Sequence, residues 1–276
     1  MKDGFIKVAA GTPDVQVADC EFNAAEIIKM VREMEAEGAR VMVFPELCIT
    51  AYTCGDLFWQ ENLLEEAKVQ LMRIAEETAD VDAIIFVGLP LEYKGKLYNV
   101  AAGLNHGEIL GFVPKTYLPN YNEFYEARYF TSGEDVDGTV TIRRSEYGLH
   151  HDEEMTDEDV EFGLEAELEA LEEEDSFEEL EEIDEEPDYI DEDETEEFDE
   201  VDVPISSNIL FICQEMPKLK IAAEICEDLW VPNPPSVGHA YHGANLIVNL
   251  SASDEVVGKD SYRKSLVSCL LYTSPS

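Results

Sequence analysis

The sequence contains few basic residues. Only 18 Lys and Arg stand against 63 Asp and Glu in 276 residues, which gives a formal net charge of -45. A chain of this charge is repelled by phosphate backbones and by anionic lipid surfaces. The composition therefore argues against nucleic acid or a membrane as a partner.

Long apolar runs are missing as well. No stretch of about 18 apolar residues, the length that a transmembrane helix needs, occurs in the sequence. The first residues, MKDGFIKVAAG, lead directly into a predicted strand and lack the apolar core of a signal peptide. We therefore expect a cytoplasmic protein.

Paired metal-binding and nucleotide-binding motifs are also absent. The six cysteines lack the CxxC spacing of a zinc site, and a chain of this length does not suggest a disulfide framework. His239 and His242 have a spacing that could hold a metal, but no third ligand follows nearby, so we expect no metal site. No glycine-rich nucleotide loop of the type SGGxDS occurs either.

The acidic residues are concentrated in one segment. Residues 152–202 hold 31 of the 63 acidic side chains and no Lys or Arg, which leaves a net charge of about -14 for the rest. Dense like charge with few apolar residues cannot offset chain entropy, so we expect disorder, or a loose helix near 161–182. We place this acidic insert at 145–204. It is either a solvated insertion in a surface loop, which we favour, or a contact for a basic partner.

The hydrophobic pattern outside the insert predicts an α/β domain. Apolar residues at helical spacing predict helices at 19–37 and 62–78, and Gly38 is a natural stop for the first. Strands that alternate with helices, followed by a hairpin at Lys94-Gly95-Lys96, indicate a layered domain with a mixed sheet. The predicted strands are 5–10, 41–44, 83–89, 98–104, 109–113, 209–213, 219–225 and 246–250.

Three predicted strands end at reactive side chains. Glu46 follows the run VMVFP, Lys115 follows ILGFVP, and Cys226 follows KIAAEI. A thiol becomes a nucleophile when a base takes its proton and a cation favours the thiolate, whereas nearby Glu227 and Asp228 would oppose it. Singly, a Glu or Lys after a strand is typical of a solvated loop charge. Together, the three strand ends supply a nucleophile, a base and a cation.

The motifs around these residues resemble a known family. The segments FPEL, VPK and EICEDLW, spaced by 69 and then 111 residues, resemble the Glu-Lys-Cys triad of the nitrilase superfamily of carbon-nitrogen hydrolases. Within that superfamily the chain is similar to the glutaminase domains of glutamine-dependent NAD synthetases over residues 5–141 and 205–269. The segments that carry this similarity are FPELCITAYTCGDLF, PKTYLPNYNEFYEARYF, CEDLWVPNPPS and NLSASDEVVGKDSYR.

The resemblance implies a fold and a domain organisation. The family fold is a four-layer αββα sandwich, which the periodicity alone does not distinguish from other α/β arrangements. We expect a carbon-nitrogen hydrolase domain at 1–269, interrupted by the insert at 145–204. Residues 270–276 depart from the family, and we expect the family's C-terminal synthetase domain to be missing from this chain.

The resemblance also implies a reaction, the hydrolysis of L-glutamine to glutamate and ammonia through a thioester. Cys226 would be the nucleophile, Glu46 the base and Lys115 the stabilising cation. The reaction itself needs no cofactor, whereas ATP and Mg²⁺ would serve only the missing synthetase domain, which makes NAD from deamido-NAD. That domain, L-glutamine and further copies of the chain in a homo-oligomer are the expected partners.

Matching positions imply the substrate contacts. Lys259 suits the glutamine carboxylate. Glu126 lines the pocket and orients Lys115, or pairs with Arg128 or water. Trp230 forms a pocket wall or a core aromatic. The implied substrate-binding set is Tyr121, Ser253, Lys259, Glu126 and Trp230.

Two other functions stay open. The chain could be a stand-alone nitrilase-like amidase that acts on another amide. It could also be a non-enzymatic interaction protein in which the acidic insert makes the contacts. Three matched strand ends argue against the second alternative, because a scaffold has no use for them.

Overall fold

The computed structural model describes residues 5–143, 200–254 and 256–273. By its contacts the chain divides into two units, the first made of Met1–Ile142 and Val201–Ser276, the second of Arg143–Glu200. Nearly all of the second unit lies outside the described residues. The disorder, or the loose helix, predicted for the insert concerns residues that are likewise outside the described ranges. In the described part of the chain, no helix is long and apolar enough to cross a membrane.

Two helices form one outer layer. Helix α1 spans Cys20–Ala36 and begins where the Asp19 carboxylate accepts a hydrogen bond from the Phe22 amide at 3.0 Å, as a helix N-cap does. It ends before Gly38, whose φ of +83° favours glycine. Helix α2 spans Glu61–Glu77 and packs against α1. Both helices agree with the predicted ranges to within about one residue.

A seven-stranded mixed sheet forms the next layer. The order is β1-β2-β3-β4-β5-β7-β6, with β1 to β3 parallel and β3 to β5 an antiparallel meander. The β3–β4 hairpin turns at Lys94 and Gly95, both with positive φ, as a two-residue hairpin loop requires. The strands are β1 Val8–Ala10, β2 Val41–Val43, β3 Ile84–Tyr93, β4 Lys96–Asn105, β5 Glu108–Pro114, β6 Asp137–Arg143 and β7 Glu200–Ser206.

Strands β6 and β7 correct the sequence analysis. Neither strand was predicted, and β7 includes residues 200–204, which had been assigned to the insert. Val203 and Ile205 are buried on one face of β7, a period-two pattern that Glu200, Asp202 and Pro204 on the exposed face obscure. The C-terminal limit of the insert therefore lies before residue 200.

A three-stranded sheet and two more helices complete the described unit. The sheet has the order β10-β9-β8, with strands β8 Phe211–Ile212, β9 Lys220–Ile225 and β10 Leu246–Leu250. Strands β9 and β10 are parallel, so their C-terminal ends lie side by side. Helices α3 and α4 span Pro235–Tyr241 and Lys259–Thr273. Helix α4 thus continues past residue 269, where the predicted domain ends.

The main core lies between the two sheets and confirms the αββα sandwich. Phe86 of β3 and Phe211 of β8 meet edge to face, with ring centroids 5.1 Å apart. Helix α2 packs on the other side of the first sheet, and α3 packs against β9. The buried residues of this core are Val41, Phe86, Ala101, Val113, Phe211, Ile221, Ala223, Ile225, Cys226, Val248 and Leu250.

Candidate active site

Glu46 lies in an irregular segment that follows β2 and runs closely along β3. The amides of Phe44 and Ile49 donate to the carbonyls of Phe86 and Gly88, which hold this segment in place. A side chain at Gly88 would put its Cβ 2.4 Å from the Leu47 nitrogen, so only glycine permits this approach. The carboxylate of Glu46 is 1% exposed and faces the interior, not solvent.

Lys115 follows β5 directly and is fully buried. Its ammonium donates to the Glu46 carboxylate and, at 2.6 Å, to Oε1 of Glu126. The Tyr52 hydroxyl also donates to Glu126 Oε1 at 2.7 Å, and Asn99 Nδ2 donates to Glu46 Oε1 at 2.7 Å. Buried charges are tolerated when they are paired and hydrogen-bonded in this way. The two carboxylates and the ammonium therefore form one connected centre.

Cys226 is the first residue after β9 and begins the short 3-10 helix Cys226–Leu229. Its φ is +45°, a left-handed conformation that costs a non-glycine residue about 1 to 2 kcal/mol. The thiol is buried, and the hydroxyl of Ser251, which follows β10, lies 3.4 Å from Sγ. The Ala252 amide donates to Glu46 Oε2 at 3.3 Å. The ends of β9 and β10 thus meet the Glu46 carboxylate.

The charges at this centre shift several pKa values. Burial, and next the negative charge of Glu46, raise the pKa of the Cys226 thiol to about 12, although Lys115 opposes this shift. Burial lowers the pKa of Lys115, but Glu46 and Glu126 outweigh it and the pKa is raised. Burial and then Glu46 raise the pKa of Glu126 to about 7 against the effect of Lys115. At neutral pH the thiol is therefore protonated and needs a base.

The carboxylate of Asp228, two residues after Cys226, is held by backbone amides. Asp228 is buried and accepts hydrogen bonds from the amides of Ile225 at 3.0 Å, Tyr117 at 2.7 Å and Thr116 at 3.2 Å. These bonds connect the residues after Lys115 to the turn that holds Cys226. Burial nevertheless raises the pKa of Asp228 to about 6. We expected the charge of Asp228 to disfavour a thiolate at Cys226. In the structure its carboxylate instead holds two backbone segments together.

Glu227 and Tyr121 form a polar pair at the rim of the site. The Tyr121 hydroxyl lies 2.9 Å from Glu227 Oε2 and 3.0 Å from Oε1. Tyr121 is half exposed, and burial together with Glu227 raises its pKa to about 12. Tyr121, predicted to bind substrate, therefore contacts the residue that follows Cys226 in the chain.

Ser253, Lys259 and Trp230 continue the rim on the other side. The Ser253 hydroxyl lies 3.3 Å from that of Ser251 and accepts from Arg263 Nη2 at 3.1 Å. Lys259 Nζ lies 5.8 Å from the centroid of the Trp230 ring, and the guanidinium of Arg263 lies 5.9 Å from it. Trp230 is partly exposed and stacks on Tyr262, so it is a rim residue, not a core aromatic. Lys259 also pairs with the carboxylate of Asp254.

All eight sequence-predicted site residues thus belong to one connected region. Glu126 contacts Lys115, whereas Arg128 pairs with Asp56 at 2.9 Å. Among the described residues, no group of three or more His, Cys, Asp or Glu could hold a metal.

Sequence reasoning missed several polar residues of the site. Ser251 could have been found, because it follows β10 as the triad residues follow their strands. Asn99 is an amide side chain in the middle of the otherwise buried, mainly apolar stretch of β4, which was a second available signal. The missed residues are Tyr52, Asn99, Ser251 and Arg263, and the contacts of Glu227 and Asp228 were not foreseen.

Comparison with known proteins identifies the family. Residues 7–266 match the model of the family described as carbon-nitrogen hydrolase. This chain belongs to that family. The carbon-nitrogen hydrolase is 31% identical over 263 residues to the glutamine-dependent NAD(+) synthetase of Mycobacterium tuberculosis, a match that covers 95% of this chain and 30% of the relative.

Solved structures agree with the fold of this carbon-nitrogen hydrolase. The glutamine-dependent NAD(+) synthetase from Cytophaga hutchinsonii matches with a TM-score of 0.65 and 24% identity, over 95% of this chain and 33% of that one. An amidase from Nesterenkonia sp. matches with a TM-score of 0.55 and 16% identity, over 92% and 68%. The chain thus spans about a third of the synthetases it matches, and the family expected from FPEL, VPK and EICEDLW is confirmed.

Proposed function

We propose that this carbon-nitrogen hydrolase cleaves the side-chain amide of L-glutamine to give glutamate and ammonia. The observation that carries the proposal is the buried Glu46–Lys115 pair that meets Cys226 at the end of β9. This pair combines a base and a cation at a thiol that is otherwise held protonated. A non-enzymatic interaction protein would have no use for such a buried centre, which costs stability to assemble.

The chemistry follows from the three side chains. Glu46 accepts the thiol proton as the sulfur of Cys226 attacks the amide carbon and forms a carbon–sulfur bond. Lys115 stabilises the negative charge that develops on the carbonyl oxygen, an interaction whose loss typically costs about 3 kcal/mol of barrier. The carbon–nitrogen bond then breaks, and Glu46 returns its proton to the leaving ammonia. Water deprotonated by Glu46 attacks the thioester, which releases glutamate and restores the thiol.

The rim residues supply groups for the amino-acid end of glutamine. Lys259 and Arg263 carry the positive charge that an α-carboxylate requires. Glu227, oriented by the Tyr121 hydroxyl, carries the negative charge that an α-ammonium group requires. Ser253 adds a hydroxyl and Trp230 an apolar wall. An amide without these charged groups would gain little from this rim, which favours glutamine over the amides that the alternative amidase function would need.

The similarity to glutamine-dependent NAD(+) synthetases supports a further part of the proposal. We infer that the ammonia serves a synthetase domain in a longer protein, where ATP, Mg²⁺ and deamido-NAD would be used. The hydrolysis itself is proposed to need no cofactor. A cytoplasmic location and a homo-oligomeric assembly stay predictions.

Replacement of the nucleophile tests the reaction. We expect Cys226→Ser to lower the rate of ammonia release from glutamine to below about a thousandth of wild type, because a carboxylate base does not deprotonate a serine hydroxyl readily. Cys213→Ser, the same change at a partly exposed cysteine outside the site, should leave the rate unchanged. Ammonia release is measured in a coupled assay, and circular dichroism verifies the fold of both variants.

A glutamine-like diazo-ketone gives an independent readout of the same site. It should label Cys226, and excess glutamine should protect against labelling. Labelling of Cys48 or Cys54, or an active Cys226→Ser variant, would contradict the proposed mechanism. Ammonia release from simple aliphatic amides but not from glutamine would support the stand-alone amidase.

A further inference from the structure

Glu224 is a buried carboxylate that the proposed chemistry does not use. It lies on β9, two residues before Cys226, and is 1% exposed. Its neighbours Ala223 and Ile225 point into the core between the sheets. Because side chains alternate along a strand, Glu224 points to the opposite face, where α3 packs. Glu224 thus buries a carboxylate beside Ala222 of the same face.

The partners of Glu224 come from two other elements. The amide of Ser236, at the start of α3, donates to Oε2 at 3.2 Å, and Asn249 Nδ2 of β10 donates to Oε1 at 3.4 Å. Of the residues that the structure describes, none forms a salt bridge with Glu224 within 4.0 Å. Burial of a carboxylate without a cation is costly, so the residue has no evident benefit for stability.

The contacts of Glu224 lie directly behind the nucleophile. Glu224 and Asn249 are opposite each other in the parallel register of β9 and β10, and Ile225 and Leu250 form the next pair. Immediately after this pair, Cys226 and Ser251 meet at 3.4 Å. The Glu224–Asn249 contact is therefore a polar link between the two strands just before they deliver the thiol and its hydroxyl neighbour.

We propose that Glu224 is a positioning residue for Cys226. It joins the ends of β9 and β10 to the start of α3 and so fixes the thiol against Ser251 and Glu46. The inference rests on the proposed function only for the kinetic part of its test, in which ammonia release from glutamine is measured. The alkylation of Cys226, by contrast, reports the position of the thiol without any glutamine.

The test compares two substitutions at this position in the full chain. Glu224→Leu keeps the approximate volume but leaves the Ser236 amide and the Asn249 amide group without their acceptor. Glu224→Gln keeps an acceptor oxygen for Ser236, and the Asn249 amide can rotate to accept from the new NH₂ group. Glu215→Gln, an exposed glutamate in the loop between β8 and β9, is the matched control for loss of one charge.

Two rates are measured for each variant. The first is the alkylation of Cys226 by iodoacetamide, followed by peptide mapping, and the second is ammonia release from glutamine. We expect Glu224→Leu to lower both the alkylation rate and kcat about tenfold to a hundredfold, with KM changed by less than about twofold. Both rates of Glu224→Gln should stay within about threefold of the wild-type rates. Both rates of Glu215→Gln should equal those of wild type.

Several outcomes would overturn the assignment. A wild-type alkylation rate in Glu224→Leu would do so, and so would a change confined to KM. If circular dichroism shows that Glu224→Leu does not fold, Asn249→Ala decides in its place, since it removes the β10 half of the contact. A wild type that is alkylated at Cys226 but releases no ammonia would reject the proposed function and leave the alkylation test of Glu224 intact.

Discussion

At the scale of single residues, Gly88 sets the position of the Glu46 carboxylate. A Cβ at this residue would lie 2.4 Å from the Leu47 nitrogen and 2.8 Å from the Pro45 carbonyl oxygen. Both contacts are with backbone atoms, which cannot move aside as the tip of a flexible side chain can. Any side chain at residue 88 must therefore displace the segment that carries Glu46.

We expect Gly88→Ala to lower kcat for glutamine about a hundredfold, because a displacement of about 1 Å in a catalytic group has an effect of this size. The free energy of unfolding should fall by about 1 to 3 kcal/mol through overpacking. Steady-state kinetics and thermal denaturation check both values. Gly238→Ala is the matched control, since a Cβ there meets nothing within 4 Å. Normal kcat in Gly88→Ala would show that Glu46 tolerates the shift.

Glu224 makes stability depend on pH. Burial, and next the negative charge of Asp228, raise the pKa of Glu224 to about 7. Because the folded pKa exceeds the unfolded value of about 4.3, folding favours the protonated form. The stabilising contribution of protonated Glu224 is fully present below pH 4 and is lost as pH rises through 7. The ionised carboxylate then costs the folded state about 4 kcal/mol, at about 1.4 kcal/mol for each pKa unit.

We therefore expect Glu224→Gln to gain in melting temperature relative to wild type as pH rises from 5 to 8, since glutamine does not titrate. The difference between variant and wild type is the quantity to measure, because it cancels the titration of Glu126, whose pKa is also raised to about 7. Glu215→Gln should show a difference that does not change with pH. A constant difference for Glu224→Gln as well would mean that Glu224 does not titrate in this range.

At the scale of elements, local signals explain what the sequence could predict. Helix α1 has Asp19 as an N-cap and Gly38 after its end, so its bounds were predictable. Strands β6 and β7 were missed because their apolar residues alternate with Asp, Glu and Thr over only seven residues each. A short amphipathic strand carries a weak signal, and β7 was further hidden by the acidic run before it.

In the candidate site, too, the residues with a local sequence signal could be predicted and those that depend on distant contacts could not. Glu46, Lys115 and Cys226 could be selected because each follows an apolar strand, a local pattern. The contacts of Asp228 with Thr116 and Tyr117 bridge 112 and 111 residues, and no local pattern reports them. The left-handed φ of Cys226 likewise depends on the packing around the turn. Tertiary contacts therefore supply what the sequence could not: the orientation of each group.

At the scale of the whole molecule, the described unit is complete without the acidic insert. Both sheets and the triad lie in the unit made of Met1–Ile142 and Val201–Ser276. Strands β6 and β7 are neighbours, and the Thr141 hydroxyl donates to Asp202 at 2.8 Å, so the chain ends on either side of the insert are close together. A short linker can therefore replace the intervening residues.

We expect deletion of residues 152–199 to change the melting temperature by less than about 4 °C, the equivalent of about 1 kcal/mol. The deletion removes 29 acidic and no Lys or Arg side chains, so ammonia release should become less sensitive to salt, which screens charge over about 10 Å at 0.1 M. Thermal denaturation and kinetics between 0.02 and about 0.5 M NaCl measure both effects. A deletion variant that melts far below the parent would show that this segment supports the fold.

The backbone conformation of Cys226 sets stability and activity against each other at one residue. Glycine would adopt the φ of +45° without strain, yet glycine has no thiol with which to attack an amide. A mutational screen scored only on folded protein should therefore tolerate glycine at residue 226 well, whereas a screen scored on growth that requires the activity should reject it. Disagreement between two such screens at a buried position would identify the nucleophile without any assay of the reaction itself.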